Sequence, residues 1–158
     1  TKYSLTLLFC IMTSMVTFAQ WTVNLSGAPG YYRIDAVHFI DDNTGFVGGT
    51  NSLFGGDGIL SKTSNGGSSW TTVATITSSP IQAIHFVNSM LGFAVGTNGL
   101  MARTTDGGNT WSTQNYTNPN SGNKEVFKSV HFVDQNTGYI AGGFYEMMVL
   151  KTIDGGVN

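Results

Sequence analysis

A turn motif written three times along the chain constrains its fold more than any other feature. It reads Thr63-Ser64-Asn65-Gly66-Gly67-Ser68-Ser69-Trp70, then Thr104-Thr105-Asp106-Gly107-Gly108-Asn109-Thr110-Trp111, then Thr152-Ile153-Asp154-Gly155-Gly156 at the C-terminal end. A hydroxyl residue is followed two positions later by Asp or Asn, then by two glycines, and in the first two copies by a Trp. The Asp or Asn side chain accepts hydrogen bonds from N–H groups of its own turn, while Gly supplies positive φ. The Trp opens the next strand and plugs a large ring into a core. Such a segment reads as a hairpin turn that anchors itself.

A second stretch recurs in step with the first. It runs His38-Phe39-Ile40-Asp41 to Thr44-Gly45-Phe46, then His85-Phe86-Val87-Asn88 to Leu91-Gly92-Phe93, then His131-Phe132-Val133-Asp134 to Thr137-Gly138-Tyr139. The intervals are 85 − 38 = 47 and 131 − 85 = 46 residues. A period of about 40–50 residues filled with short strands indicates the blades of a β-propeller. Apolar, β-branched and aromatic runs between turn clusters predict four antiparallel strands, A to D, in each repeat. They fall near 34–40, 45–47, 58–63 and 69–74 in the first repeat, and near 81–87, 92–95, 100–104 and 110–114 in the second. The third shows 127–133, 138–141 and 147–152. The expected architecture is all-β: a blade over 34–74, a blade over 81–114, an incomplete blade over 127–158, and an orphan outer strand at Trp21–Asn24. Closed propellers have about four to eight blades, so the sequence is expected to be the N-terminal part of a longer protein.

The turn motif resembles the Asp-box of the BNR-repeat families, which lies between the two outer strands of a propeller blade. That resemblance implies a structural role for Thr63, Asn65, Gly67, Trp70, Thr104, Asp106, Gly108, Trp111, Thr152, Asp154 and Gly156. The full repeat, with its Lys/Arg-Thr strand before the turn, is most similar to the photosystem II assembly factor-like propellers, over about 21–158. Similar domains occur as extracellular modules of secreted bacterial proteins, which implies non-catalytic binding of an extracellular protein or glycan. Sialidases also resemble this chain in their repeats, but their site uses three arginines. Only Arg33 and Arg103 are present here. A xyloglucanase-type glycosidase needs two carboxylates at a defined separation, and no motif marks such a pair. The N-terminal part of a secreted glycoside hydrolase is nevertheless the alternative reading.

Residues 1–19 differ in character from the rest. Lys2 precedes the apolar run Leu5–Met12, and Thr17-Phe18-Ala19 closes it with a small residue, the pattern of a cleaved signal peptide. Thr and Ser interrupt the run short of the ~20 residues that span a bilayer, so no membrane span is expected after cleavage. A secreted or cell-surface protein follows. Cys10, the only cysteine, would leave with the peptide. Charged residues make up 10% and the net charge is −2, with no basic patch, which argues against nucleic acid as a partner.

Two sets of loops follow from alternating strands. The A–B loops and the turn motifs share one face and barely vary, which marks scaffold. The B–C loops (49–57, 96–99, 143–146) and D–A loops (75–80, 116–125) share the other face and differ in length, as binding loops do. Candidate ligand-binding residues on that face are Tyr31, Tyr32, Arg33, Phe54, Asp57, Tyr116, Tyr145 and Glu146. Aromatic loop side chains of this kind stack on sugars or anchor protein partners, or else pack on their own blades.

No cofactor, metal or catalytic residue is assigned. His38, His85 and His131 recur at equivalent inner-strand positions, expected ~10 Å apart by sheet packing and thus too far apart to share one ion. Asn65, Asp106 and Asp154 lack the further oxygen ligands that a calcium loop needs.

Overall fold

The computed structural model describes residues 30–144 and 146–157, and these form eleven strands and no helix. The predicted signal segment and the orphan strand at 21–24 lie outside the described residues, as does Tyr145. The first sheet has the order β1 (Arg33–Phe39), β2 (Gly45–Thr50), β3 (Gly58–Thr63) and β4 (Thr71–Ile76). The second repeats it with β5 (Ile81–Phe86), β6 (Gly92–Gly96), β7 (Leu100–Thr104) and β8 (Ser112–Asn115). The third has β9 (Phe127–Phe132), β10 (Gly138–Gly142) and β11 (Met148–Thr152) in the order β11-β10-β9. All neighbours pair antiparallel. These are the blades of a propeller, two of four strands and one of three.

The blades stack face to face. Phe46 of β2 lies flat on Phe86 of β5, ring centroids 4.4 Å apart, and Phe93 of β6 lies on Phe132 of β9 at 3.7 Å. Trp111 meets both Phe46 and Phe86 edge-on, at 6.3 and 5.9 Å. Leu60, Ile81, Ile84 and Leu100 complete one core between the first two blades, and Val95, Phe127 and Val130 complete the next. Each fully buried Phe contributes roughly 1.5–3 kcal/mol of apolar transfer free energy, so the blade interfaces carry most of the hydrophobic stabilisation.

Packing also explains the glycine in the Thr-Gly-Phe stretch. Gly45, Gly92 and Gly138 each face the Phe that pairs with them across the first two strands. A Cβ at Gly92 would lie 2.5 Å from Phe86 Cε1, and one at Gly138 would lie 2.5 Å from Phe132 Cε1. These glycines are selected for space, whereas Gly107 and Gly108 are held at φ of 71° and 76°.

The outer strands begin later than the sequence suggests. β4 starts at Thr71 and β8 at Ser112, because the preceding residues belong to the turn. Ser69 N and Thr110 N donate to Asn65 Oδ1 and Asp106 Oδ1, each at 2.9 Å, and so are withdrawn from the ladder.

Candidate functional site

Each repeated turn forms a closed hydrogen-bonded unit. Thr104 Oγ1 donates to Asp106 Oδ1 at 2.8 Å and accepts from Gly108 N at 2.9 Å. Thr63 does the same between Asn65 and Gly67, at 2.9 and 3.0 Å, and Thr152 between Asp154 and Gly156, at 2.7 and 3.0 Å. Thr110 Oγ1 adds a 2.6 Å bond to Asp106 Oδ2, and these bonds hold the Asp106 carboxyl well below the usual range. The turn is stapled to the A–B loop of its blade: Gly66 N, Gly107 N and Gly155 N donate to the carbonyls of Asn43, Met90 and Asn136 at 2.8–2.9 Å. Those A–B loops are themselves Asx turns on Asp41, Asn88 and Asp134. The Asp-box and Asx-turn side chains on this face are thus occupied in holding the scaffold.

The opposite face joins loops of different blades. Asp57 Oδ1 accepts from Ser78 N at 2.9 Å, Asn98 Nδ2 donates to Ser78 O, and Asn115 Nδ2 donates to Asn98 O at 2.9 Å. Gly99 N donates to Glu125 O at 2.6 Å. The variable loops thus form one continuous surface.

At the inner edge of this surface lies a polar ladder that single residues do not announce. Asp35, Gln82 and Lys128 each precede the repeated His by three positions, and each is the residue skipped where the inner strand bulges: between Ile34 and Ala36, between Ile81 and Ala83, and between Phe127 and Ser129. A bulge re-aims the extra side chain. Here the three point along one line: Lys128 Nζ donates to Gln82 Oε1 at 2.6 Å, and Gln82 Nε2 to Asp35 Oδ2 at 3.4 Å. Arg33 Nε closes the row on Asp35 at 2.7 Å. The shared offset from His is visible in the sequence, but Asp, Gln and Lys do not look like copies of one position.

The predicted binding residues are divided among the core, the solvent, the ladder and the loop contacts. Tyr31 turns inward: its hydroxyl bonds Val47 O at 3.0 Å, Ile59 O at 3.1 Å and Ser61 Oγ at 3.2 Å, and burial pushes its pKa up to about 12. Tyr116 packs on Phe127, ring centroids 5.9 Å apart. Tyr32 and Phe54 stand in solvent, Phe54 with 90% of its surface exposed, and Phe144 joins them. Arg33 belongs to the ladder. Asp57 holds the loop contact above, and Glu146 Oε2 accepts from Asn118 Nδ2 at 3.1 Å.

Asn118 and Glu125 were not singled out from sequence. Both are buried, Glu125 completely. Glu125 accepts from Phe144 N at 2.8 Å and from Asn118 Nδ2 at 3.4 Å, tying the long β8–β9 loop to the β10–β11 loop. A Glu inside an Asn- and Gly-rich loop reads as solvated; only the fold buries it.

The histidines correct the expected spacing. The ring centroids of His38 and His85 lie 5.6 Å apart and those of His85 and His131 4.8 Å apart, not ~10 Å. The inner strands of neighbouring blades converge, with Cα atoms of β1 and β5, and of β5 and β9, within 8 Å of each other, so a face-to-face sheet spacing overstates the gap. His38 Nε2 accepts from Phe86 N at 3.3 Å, which fixes the neutral ring, and burial lowers the pKa of His38 and His85. Among the described residues no group of three His, Cys, Asp or Glu is arranged to hold a metal, and no helix among them is long and apolar enough to cross a membrane.

A family model described as photosynthesis system II assembly factor YCF48 matches residues 62–158. Among solved structures, YCF48 bound to D1 peptide aligns with a TM-score of 0.63 at 23% identity, over 79% of this chain and 38% of that one. An ancestral GH74 enzyme aligns with a TM-score of 0.64 at 24% identity, over 84% of this chain and 19% of that one. The GH74 enzyme of Niastella koreensis aligns with a TM-score of 0.55 at 22% identity, over 79% and 22%. At these identities the likeness is one of fold, and this chain spans well under half the length of each structure. No curated protein matches the chain.

Proposed function

Because this chain belongs to the YCF48 family of BNR-type propellers, we propose that it is an exported, non-catalytic module whose variable loop face binds an extended segment of a protein partner. The observation that carries the reading is the bulge ladder Arg33–Asp35–Gln82–Lys128, with Tyr32 exposed just before β1 and Phe54 exposed in the β2–β3 loop. A row of alternating donors and acceptors suits the amides and charged side chains of an extended peptide, and flanking aromatics supply anchors. YCF48 itself is known in a peptide-bound structure, which supports the ligand class. Export rests on the signal-like pattern of residues 1–19.

The hydrolase alternative has fold likeness alone behind it. Asp35, Asp57 and Glu146, the carboxylates it could recruit, are all engaged already, Asp35 in the ladder and the other two in fastening loops.

The test is selection of a displayed random peptide library on the immobilised chain, with a glycan array run in parallel. Peptides that bind the native chain and lose at least tenfold in affinity with Lys128→Glu or Phe54→Ser would support the proposal. Binding that survives both changes, or hits on the array only, would reject it.

A further inference from the structure

Two asparagines in the chain are followed directly by glycine: Asn65-Gly66 in the first Asp-box and Asn98-Gly99 between β6 and β7. Such a pair is chemically labile, because Gly puts no side chain in the way of its own amide nitrogen. That nitrogen attacks the Cγ of the preceding Asn, gives up its proton and expels ammonia. The succinimide ring so formed takes up one water and opens to aspartate or isoaspartate. One water enters, one ammonia leaves, and nothing is oxidised or reduced.

The fold itself requires the labile pair at the second position. Thr97-Asn98-Gly99-Leu100 is a two-residue hairpin turn of type I′, with φ of 56° and 69° at its centre and Leu100 N donating to Thr97 O at 3.1 Å. Asn is among the few side chains enriched in the left-handed region, and a Cβ at Gly99 would lie 2.0 Å from Tyr116 O.

The two asparagines are held differently. Asn65 is fixed at both ends of its amide: Oδ1 accepts from Thr63 Oγ1 and from Ser69 N, each at 2.9 Å, and Nδ2 donates to Ser69 Oγ at 2.8 Å. Its attacking partner, Gly66 N, donates to Asn43 O at 2.9 Å. Asn98 is exposed, and among the described residues its side chain is held by one bond, from Nδ2 to Ser78 O. Gly99 N donates to Glu125 O at 2.6 Å, so reaction there waits on local opening of that one loop contact.

The products differ as well. An aspartate at position 65 keeps the turn, since Asp106 already accepts from Thr104 Oγ1 and Thr110 N in the second blade. The Ser69 hydroxyl would then donate to the new oxygen, as Thr110 Oγ1 does to Asp106 Oδ2. At position 98 a carboxylate has no hydrogen to give to Ser78 O. It also brings a second negative charge to Ser78, whose N–H is held by Asp57 Oδ1 at 2.9 Å. Isoaspartate adds a methylene to the backbone and draws Gly99 N away from Glu125 O.

We propose that Asn98 is a site of spontaneous deamidation, and that its conversion unfastens the β6–β7 turn from the β4–β5 loop and so loosens the variable loop face as the protein ages. Asn65 is the internal control, with the same reacting pair in a turn that tolerates the product.

The experiment is peptide mass mapping of the whole chain stored in mildly alkaline buffer, folded and in urea. In urea the two sites should convert within twofold of each other. In the folded chain Asn98 should convert at least fivefold faster than Asn65. Hydrogen exchange then reads the consequence: Asn98→Asp should speed exchange at Ser78 N and Gly99 N at least threefold and leave the strands unchanged, whereas Asn65→Asp should alter neither. The converted fraction of the native chain, separated by charge, should show the same change and serves if Asn98→Asp fails to fold. Equal rates at the two sites in the folded chain would overturn the proposal. So would an intact Asn98 in the folded chain when the urea sample has converted fully, or unchanged exchange at Ser78 after conversion.

Discussion

Lys62 leaves its own blade and donates from Nζ to the carbonyl of Gly107, 2.8 Å away in the Asp-box turn of the next. Arg103 repeats the contact one blade on, at 3.0 Å from Gly155 O. The basic residue that precedes the first and the second Asp-box is therefore an inter-blade clasp. Lys62→Met should destabilise the chain by about 1 kcal/mol, the net worth of one such hydrogen bond at a half-exposed site. Lys62→Arg should retain most of that, since Arg103 already does the same work. Urea unfolding followed by Trp fluorescence measures both.

Thr104→Val should be worse than its surface position in a turn suggests. Its hydroxyl is buried and joins Gly108 N to Asp106, so valine strands a buried N–H. A loss of about 1–3 kcal/mol follows. Asp106→Asn should be milder than Asp106→Ala, because Asn65 makes the equivalent turn in the first blade. Thermal melts of the three variants rank them.

Gly92→Ala should fail sterically, not through backbone strain. The added methyl meets the Phe86 ring at 2.5 Å, inside a core already stacked on Phe46. Overpacking of this kind costs about 1–3 kcal/mol. The double variant Gly92→Ala with Phe86→Leu should lose less than the sum of the two single losses, a coupling that a double-mutant cycle reads directly.

Stability should fall in two stages on acidification. Burial lowers the pKa of His38 and His85 below their ordinary 6.5, and the neighbouring histidines add to the effect at His85. The unfolded chain then takes up protons first, so stability drops as pH falls below about 6.5 toward the folded values. Asp41, Asp106 and Asp134 are held low by turn hydrogen bonds. Their contribution is complete above about pH 4 and is lost below it. His38→Gln should flatten the first stage and leave the second, in melting temperatures taken from pH 8 to pH 3. An unchanged first stage would refute the assignment.

Glu125→Leu should loosen the variable loop face without touching the blades. Phe144 N loses its acceptor and Asn118 Nδ2 keeps only Glu146, and faster hydrogen exchange should be confined to the β8–β9 and β10–β11 loops. Global stability should change less than the local exchange, since the blade cores lie elsewhere.

The repeat itself carried the architecture. Turn chemistry and period are local and periodic, so Thr63 to Trp70 and Thr104 to Trp111 announce hairpins, and the 47- and 46-residue spacings announce blades. What lies between blades was not legible. The clasp of Lys62, the ladder from Lys128 to Asp35, the buried Glu125 and the convergence of the histidines all join residues of different repeats or of different loops. Sequence reports what each repeat has in common, because local propensity and burial pattern recur with the strand. The variable loop face is made of what the repeats do not share, and only the stacking of one blade on the next brings those residues within reach of each other.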